Sequence, residues 1–483
     1  MARSRKHRNR PIHAPAQPKE MREVHRNAAG VDCGAAEHYV AVPQDRDTQP
    51  VRCFGTFTAD LVALADWLKQ CRITTVAMES TGVYWIALFD LLVARGFDVK
   101  LVDPRRLAQV PGRKSDVLDC QWIQQLHTFG LLTGAFRPDP QIRVLRSYMR
   151  QREMLVSYAG QHIQHMQKAM EEMNVKLTEV ISDVTGMTGT RIIDAILAGE
   201  RDPKKLAALR HERCHNDEAT IALALEGNWQ EEHLFALRQA VELYRYYHAK
   251  ISELDRQIEA HLKTFPDKSA GATLERQPAR RRHSNEPQFA VRPYLFQITG
   301  VDLTTLDGFK SGYNALDLIS EIGTDMSPWP TEKHFASWLG LCPGIKKTGG
   351  RRLSGRRPKK AVRAANILRM AAYPLHHANC ALGAFLRRLK GRLGMPKAIT
   401  ATAHKLARIV YRMLKYGKAY VDVGVEYYEQ RYRERVLKGL KRRAAEMGFD
   451  LVATQTLASL PTTELELVGT GVRVTAIELP AAQ

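Results

Sequence analysis

Two apolar runs near the N-terminus are each interrupted by a single carboxylate. Asp32 breaks AAGVDCGAA, and Glu79 breaks ITTVAMESTGVYW. A carboxylate in an otherwise buried strand is costly to desolvate unless a cation meets it. The pattern therefore restricts the chain to folds that bring both strand ends to one shared site. Asp116 and Asp119 follow in GRKSDVLDCQW, three residues apart, so on a helix they occupy one face. Four converging carboxylates suit a hard divalent ion such as Mg²⁺, which prefers oxygen ligands. The expectation is a metal site for phosphodiester chemistry, with Asp32, Glu79, Asp116 and Asp119 as ligands.

Residues 28–140 read as an α/β domain. Strand candidates are Ala28–Asp32, His38–Val42, Arg52–Thr56, Thr75–Met78 and Val99–Val102. The first three are closely spaced, with turn residues between them, and predict an antiparallel meander. An amphipathic helix marked by Leu61, Leu64, Trp67 and Leu68 comes next. Strand, helix (Tyr84–Arg95), strand and helix then alternate, the last helix carrying Asp116 and Asp119. Three hairpin strands followed by β-α-β-α, with Asp on strand one and Glu on strand four, is the layout of the RNase H/RuvC-like fold.

The remainder reads as mostly helical. Residues 1–27 are basic, contain proline and predict a disordered arm. Residues 141–263 carry two long runs of apolar residues at three and four spacing, and predict a helical hairpin or coiled coil with short helices between. Residues 264–291 lose that periodicity and read as a linker. Residues 292–430 read as a helical domain whose ITGVDLTTLDGFKSGYNALDLISEIG resembles a helix-hairpin-helix. Residues 431–483 read as a basic helix and then a loosely ordered tail.

The densest basic stretch lies within that second helical domain. From Lys346 to Arg363 the chain has Lys346, Lys347, Arg351, Arg352, Arg356, Arg357, Lys359, Lys360 and Arg363, and no acid. Glycines at 349, 350 and 355 and Pro358 keep its first half from forming a helix. Two hydroxyls, Thr348 and Ser354, lie among these cations. Such a loop suits phosphate binding, and a hydroxyl held there can attack a phosphate.

Charge identifies the class of partner. Lys plus Arg number 72 against 51 Asp plus Glu, a formal +21, which favours a polyanion and nucleic acid first. The seven cysteines are scattered and form no CxxC pair, which argues against a disulfide framework or a zinc module and for reduced thiols in the cytoplasm. No apolar run approaches the roughly 20 residues that cross a bilayer.

The strings GVDCG, AMESTGVYW, VPGRKSDVLDCQW, GLCPGIKKTGGRRLSG and RAANILRMAA, in this order, resemble one family. They are similar to the insertion-sequence transposases that join an Asp-Glu-Asp-Asp RuvC-like domain to a helical transposase domain and are guided by a structured bridge RNA. The resemblance implies a bacterial, nucleoid-associated enzyme acting on donor and target DNA as a dimer or tetramer. It implies that Asp32, Glu79, Asp116 and Asp119 bind divalent metal. It also implies that a serine just after the Gly-Leu-x-Pro string attacks DNA covalently. Here the corresponding position is Thr348, whose methyl crowds in-line attack; Ser354 is the alternative hydroxyl.

Two further readings compete. One is a RuvC-like structure-specific endonuclease without a covalent intermediate. The other is a nonenzymatic nucleic-acid-binding protein on a decayed nuclease fold, against which the retention of all four carboxylates argues.

Overall fold

A computed structural model describes residues 22–80, 82–102, 116–132, 134–278, 282–283, 285–343, 346–349, 351–353, 362–417, 420, 424–451, 462–465 and 474–477. The chain divides into two compact units, 1–137 and 138–483. The basic arm expected over 1–27 lies mostly outside the described residues.

The first unit is built on a five-stranded sheet. Its strands are β1 (Ala28–Cys33), β2 (Glu37–Ala41), β3 (Val51–Gly55), β4 (Thr75–Glu79) and β5 (Asp98–Val102), in the order β3-β2-β1-β4-β5. β1, β2 and β3 pair antiparallel, whereas β4 runs parallel to β1 and to β5. The change from hairpins to parallel pairing follows from the connections. Short turns join the first three strands, while α1 (Thr58–Gln70) and α2 (Trp85–Ala94) supply the crossovers. Alternation along the strands sorts the side chains between two faces. Val31, Met78 and Leu101 join Leu64, Leu68, Leu88 and Leu92 in the main core with α1 and α2. Ala77 and Val102 face the other way and pack with Ile123 of α3 (Asp116–Thr128).

The second unit is mostly helical. It begins with α4 (Pro140–Glu172), capped by Asp139, whose carboxylate accepts from the Ile142 amide at 3.0 Å. The short helices α5 (Leu177–Val180), α6 (Met187–Leu197), α7 (Pro203–Ala207) and α8 (Glu218–Ala224) follow, and then α9 (Glu231–Leu262) returns along α4. The pair is antiparallel: the Tyr148 ring lies 5.9 Å from His261, and that of Tyr158 lies 5.5 Å from Tyr247. Ile192, Ile193, Ile196, Leu206, Ile221 and Leu225 close a separate core at the far tip with Met170, Met173 and Leu237.

At the opposite end of the pair, Arg152 is 1 % and Asp255 2 % exposed. Arg152 Nε donates to Asp255 Oδ1 at 2.6 Å, and its Nη1 to the Asn285 carbonyl at 2.9 Å. The Gln288 amide donates to Asp255 Oδ2 at 3.0 Å. Residues 285–288, expected to be linker, are thus tied to a buried ion pair.

The chain continues through α10 (Val291–Thr299), a 3₁₀ turn (Leu303–Thr305), α11 (Tyr313–Ile322) and α12 (Glu332–Trp338). Gly300, at φ 72°, ends α10, as a left-handed C-cap requires. The segment that resembles a helix-hairpin-helix therefore contains an additional 3₁₀ turn between its helices. A hairpin of β6 (Lys346–Thr348) and β7 (Arg351–Leu353) follows. The chain then forms α13 (Arg363–Ala372), a second 3₁₀ turn (Tyr373–His376), α14 (Ala381–Leu393), α15 (Met395–Tyr416) and α16 (Gly424–Glu446). In the segment expected to be a loosely ordered tail, β8 (Thr462–Leu465) pairs antiparallel with β9 (Val474–Ile477). Both strands are rich in the β-branched residues that favour extended backbone. The mixed sheet domain followed by a mostly helical region agrees with the layout expected from the sequence.

Candidate metal-binding carboxylates and basic hairpin

Register brings the first two acids together. Val31 pairs with Met78 across the parallel β1–β4 ladder, so Asp32 and Glu79, one residue further, lie side by side at the C-terminal ends of the two strands. Alternation places Asp32 on the face of Gly30 and Glu79 on the face of Ala77, the side that α3 covers. Open α/β sheets bind ligands at such strand ends.

Gly30 explains how α3 comes so close. A Cβ there would lie 2.8 Å from Gln124 Cα and would collide with Gln124 N and Cys120 O. Only a glycine lets the helix backbone rest on β1. A glycine inside an apolar strand, as in GVDCG, is a signal of close backbone approach, and the sequence reading did not use it. The contact fixes α3 at the turn that bears Asp119, and Asp116 opens the same helix. Asp32, Glu79 and Asp119 thus belong to elements that meet at one end of the sheet. The side chain of Asp116 lies outside the described residues. Among the described residues, no three His, Cys, Asp or Glu side chains already converge closely enough to hold an ion.

The two neighbouring thiols report the local field. Burial pushes the Cys33 thiol up to about 12, and Asp32 and Glu79 add to the shift. Burial likewise takes Cys120 to about 12, with Asp32 and Asp119 contributing. Both thiols therefore stay protonated at neutral pH, and Cys120 Sγ donates to the Val117 carbonyl. The donors that Asp32, Glu79 and Asp119 bring to this end of the sheet are carboxylate oxygens. That set fits a hard divalent cation.

The basic stretch forms a hairpin in its first half. Lys346 pairs with Leu353, Lys347 with Arg352, and Thr348 with Arg351. Gly349 has φ 55°, the left-handed backbone that a two-residue hairpin turn requires. Thr348 is thus the last β6 residue before the turn. Lys347 is the register partner of Arg352. Ser354, Arg356, Arg357, Lys359 and Lys360 lie outside the described residues. Arg363 opens α13 and is held by two carboxylates, Glu153 of α4 and Glu321 of α11. Glu321 also accepts both Nε and Nη2 of Arg150, at 2.8 and 2.9 Å.

Two family models match parts of the chain. Residues 29–175 match a family model described as a transposase, of the DEDD IS110 type. Residues 302–384 match one described as transposase of the IS116/IS110/IS902 family. Comparison with curated proteins finds no match.

Proposed function

Because the chain is a DEDD transposase of the IS110 family, an enzyme that cleaves and transfers DNA strands, we propose that Asp32, Glu79, Asp116 and Asp119 hold Mg²⁺ and that Thr348 is its nucleophile. The observation that carries this reading is the register of β1 and β4, which sets Asp32 beside Glu79 under the helix that bears the other two acids. Bound there, divalent ions would supply Lewis-acid stabilisation of charge on the reacting phosphate. The protein's own part is to bind and orient. The cations of β6 and β7, which the hairpin register sets in pairs, hold the phosphate. Thr348 Oγ forms a bond to phosphorus, the ester bond to the adjoining sugar breaks, and the hydroxyl proton ends on the departing sugar oxygen. The ester count is unchanged, so the reverse step with a different strand end reseals DNA without an added energy source.

Arg351, Arg352, Arg356, Arg357, Lys346, Lys347, Lys359 and Lys360 are the proposed DNA contacts of this loop. Arg363 takes the role of anchoring the loop's end through Glu153 and Glu321. A structured guide RNA and a homo-oligomeric assembly complete the proposal, supported by the net +21 charge and by the family resemblance. No described helix is long and apolar enough to cross a membrane.

The test is a protein–DNA adduct trapped on radiolabelled donor DNA and resolved on a denaturing gel. Wild type and Thr348→Ser form it, and Thr348→Val does not. An adduct that survives Thr348→Val and disappears in Ser354→Ala would transfer the role to Ser354. Cleavage without any adduct in the wild type would favour the structure-specific endonuclease. Asp32→Asn keeps the side-chain volume and removes the charge. It should lower cleavage at least about 100-fold at ordinary Mg²⁺ with duplex binding unchanged, and wild-type cleavage would remove Asp32 from the site.

A further inference from the structure

A second cleft lies in the helical unit, among the start of α12, the length of α15 and the start of α16. It encloses about 920 Å³, room for nucleotides rather than for a lone ion. Tyr416, Tyr420 and Tyr428 line it together with Lys333, Lys405 and Arg412. Tyr416 is 60 % exposed at the last turn of α15, an unusual position for so large an aromatic surface. The Tyr428 ring is ordered by cations: Lys405 Nζ lies 5.2 Å and the Arg388 guanidinium 4.5 Å from its centroid. Among the described residues that line the cleft the one acid, Glu332, is neutralised in place by Arg408 and Arg412. Its charge therefore offers little repulsion to a phosphate.

We propose that this cleft binds an unpaired stretch of DNA, with bases stacked on the tyrosines and the backbone tracked by Lys333, Lys405 and Arg412. The proposal rests on the reading that the protein cuts and transfers DNA strands, since those steps leave strand ends without partners. Rings interleaved with cations are the chemistry of single-strand binding, because a base exposes its face only when it is not stacked within a duplex. A duplex would engage the lysines alone. Along the sequence Tyr411, Tyr416 and Tyr420 are separated by Arg412, Lys415 and Lys418, whereas only the acids Asp422 and Glu426 carry charge between Tyr420 and Tyr427. The grouping of rings with cations needs the fold, which sets Tyr428 of α16 against Lys405 of α15.

The experiment measures fluorescence anisotropy of labelled oligo-dT, oligo-rU and a blunt duplex DNA on the full-length protein in EDTA, where no cleavage occurs. Tyr416→Ala should weaken oligo-dT binding roughly 10- to 100-fold. Tyr416→Phe, which keeps the ring, should bind like wild type, and the duplex should bind equally to all three proteins. Lys333→Ala should lower the salt slope for oligo-dT by about 0.7. Unchanged oligo-dT affinity in Tyr416→Ala, or an equal loss for the duplex, overturns the proposal. Tighter binding of oligo-rU, with the loss confined to it, assigns the cleft to RNA and overturns it as well. Asp32→Asn protein should still bind oligo-dT, so failure of the cleavage assignment and failure of the cleft give different results.

Discussion

Gly30→Ala tests the link between packing and chemistry in the first unit. The new methyl would sit 2.8 Å from Gln124 Cα and closer still to Gln124 N and Cys120 O. These are backbone atoms, so no rotamer change relieves the clash. Carbon atoms pack at about 3.5–4.0 Å, so α3 must withdraw from β1 by roughly 1 Å. Overpacking of this kind costs about 1–3 kcal/mol. The helix that withdraws carries Asp116 and Asp119, while Asp32 stays on the strand. A misplacement of about 1 Å within a catalytic constellation costs on the order of 100-fold in rate. Urea denaturation gives the first quantity and DNA cleavage per folded molecule the second. Val31→Ala is the control. Val31 lies on the opposite face, fully buried in the core with α1 and α2, so its truncation should cost a comparable 1–3 kcal/mol or so while sparing cleavage. Wild-type stability in Gly30→Ala would refute the close approach of α3. Lost stability with wild-type cleavage would refute the placement of the α3 acids at the reacting centre.

Two other perturbations probe stability. Arg152→Met leaves Asp255 buried without its cation and should destabilise the helical unit by about 3–5 kcal/mol, whereas the double variant Arg152→Met/Asp255→Leu should recover most of that loss; equal losses in single and double variants would deny the pair its role. His127, which shares a 2.9 Å hydrogen bond with Thr75 Oγ1, has its pKa lowered to about 4 by burial, with Lys100 and His25 adding to the shift. Its stability contribution is therefore present above the unfolded pKa of about 6.5 and disappears as pH falls through 4, a loss of up to about 3 kcal/mol that His127→Gln should remove from urea titrations between pH 4 and 7.

The first unit was legible in the sequence because its strands are short apolar runs broken by carboxylates and bounded by turn residues. Asp32 and Glu79 are conspicuous there for the same reason that they are costly: each is the one charged residue of its strand. Gly30 was legible only in principle, since one glycine in a strand does not say which backbone approaches it. The helical unit was legible as helices but not as contacts. Arg152 and Asp255 look like surface charges on amphipathic helices, because two charges become a buried pair only when α4 and α9 choose a register. Arg363 reads as one more cation of a basic loop until the fold sets Glu153 and Glu321 against it. The tyrosine cleft was hidden because its lining comes from separate helices, with Lys333 on α12, Tyr416 on α15 and Tyr428 on α16.

The antiparallel pair of α4 and α9 is a lever. At 1.5 Å per residue the 32-residue α9 is about 48 Å long, so a tilt of about 5° at its base carries the tip core through about 4 Å. Removing about seven residues from each helix, two turns, would draw the tip inward by about 11 Å without altering a single residue of its core. The reach of the tip is thus set by helix length alone, and its steadiness by how firmly Arg152, Asp255 and the Glu321 cluster grip the base.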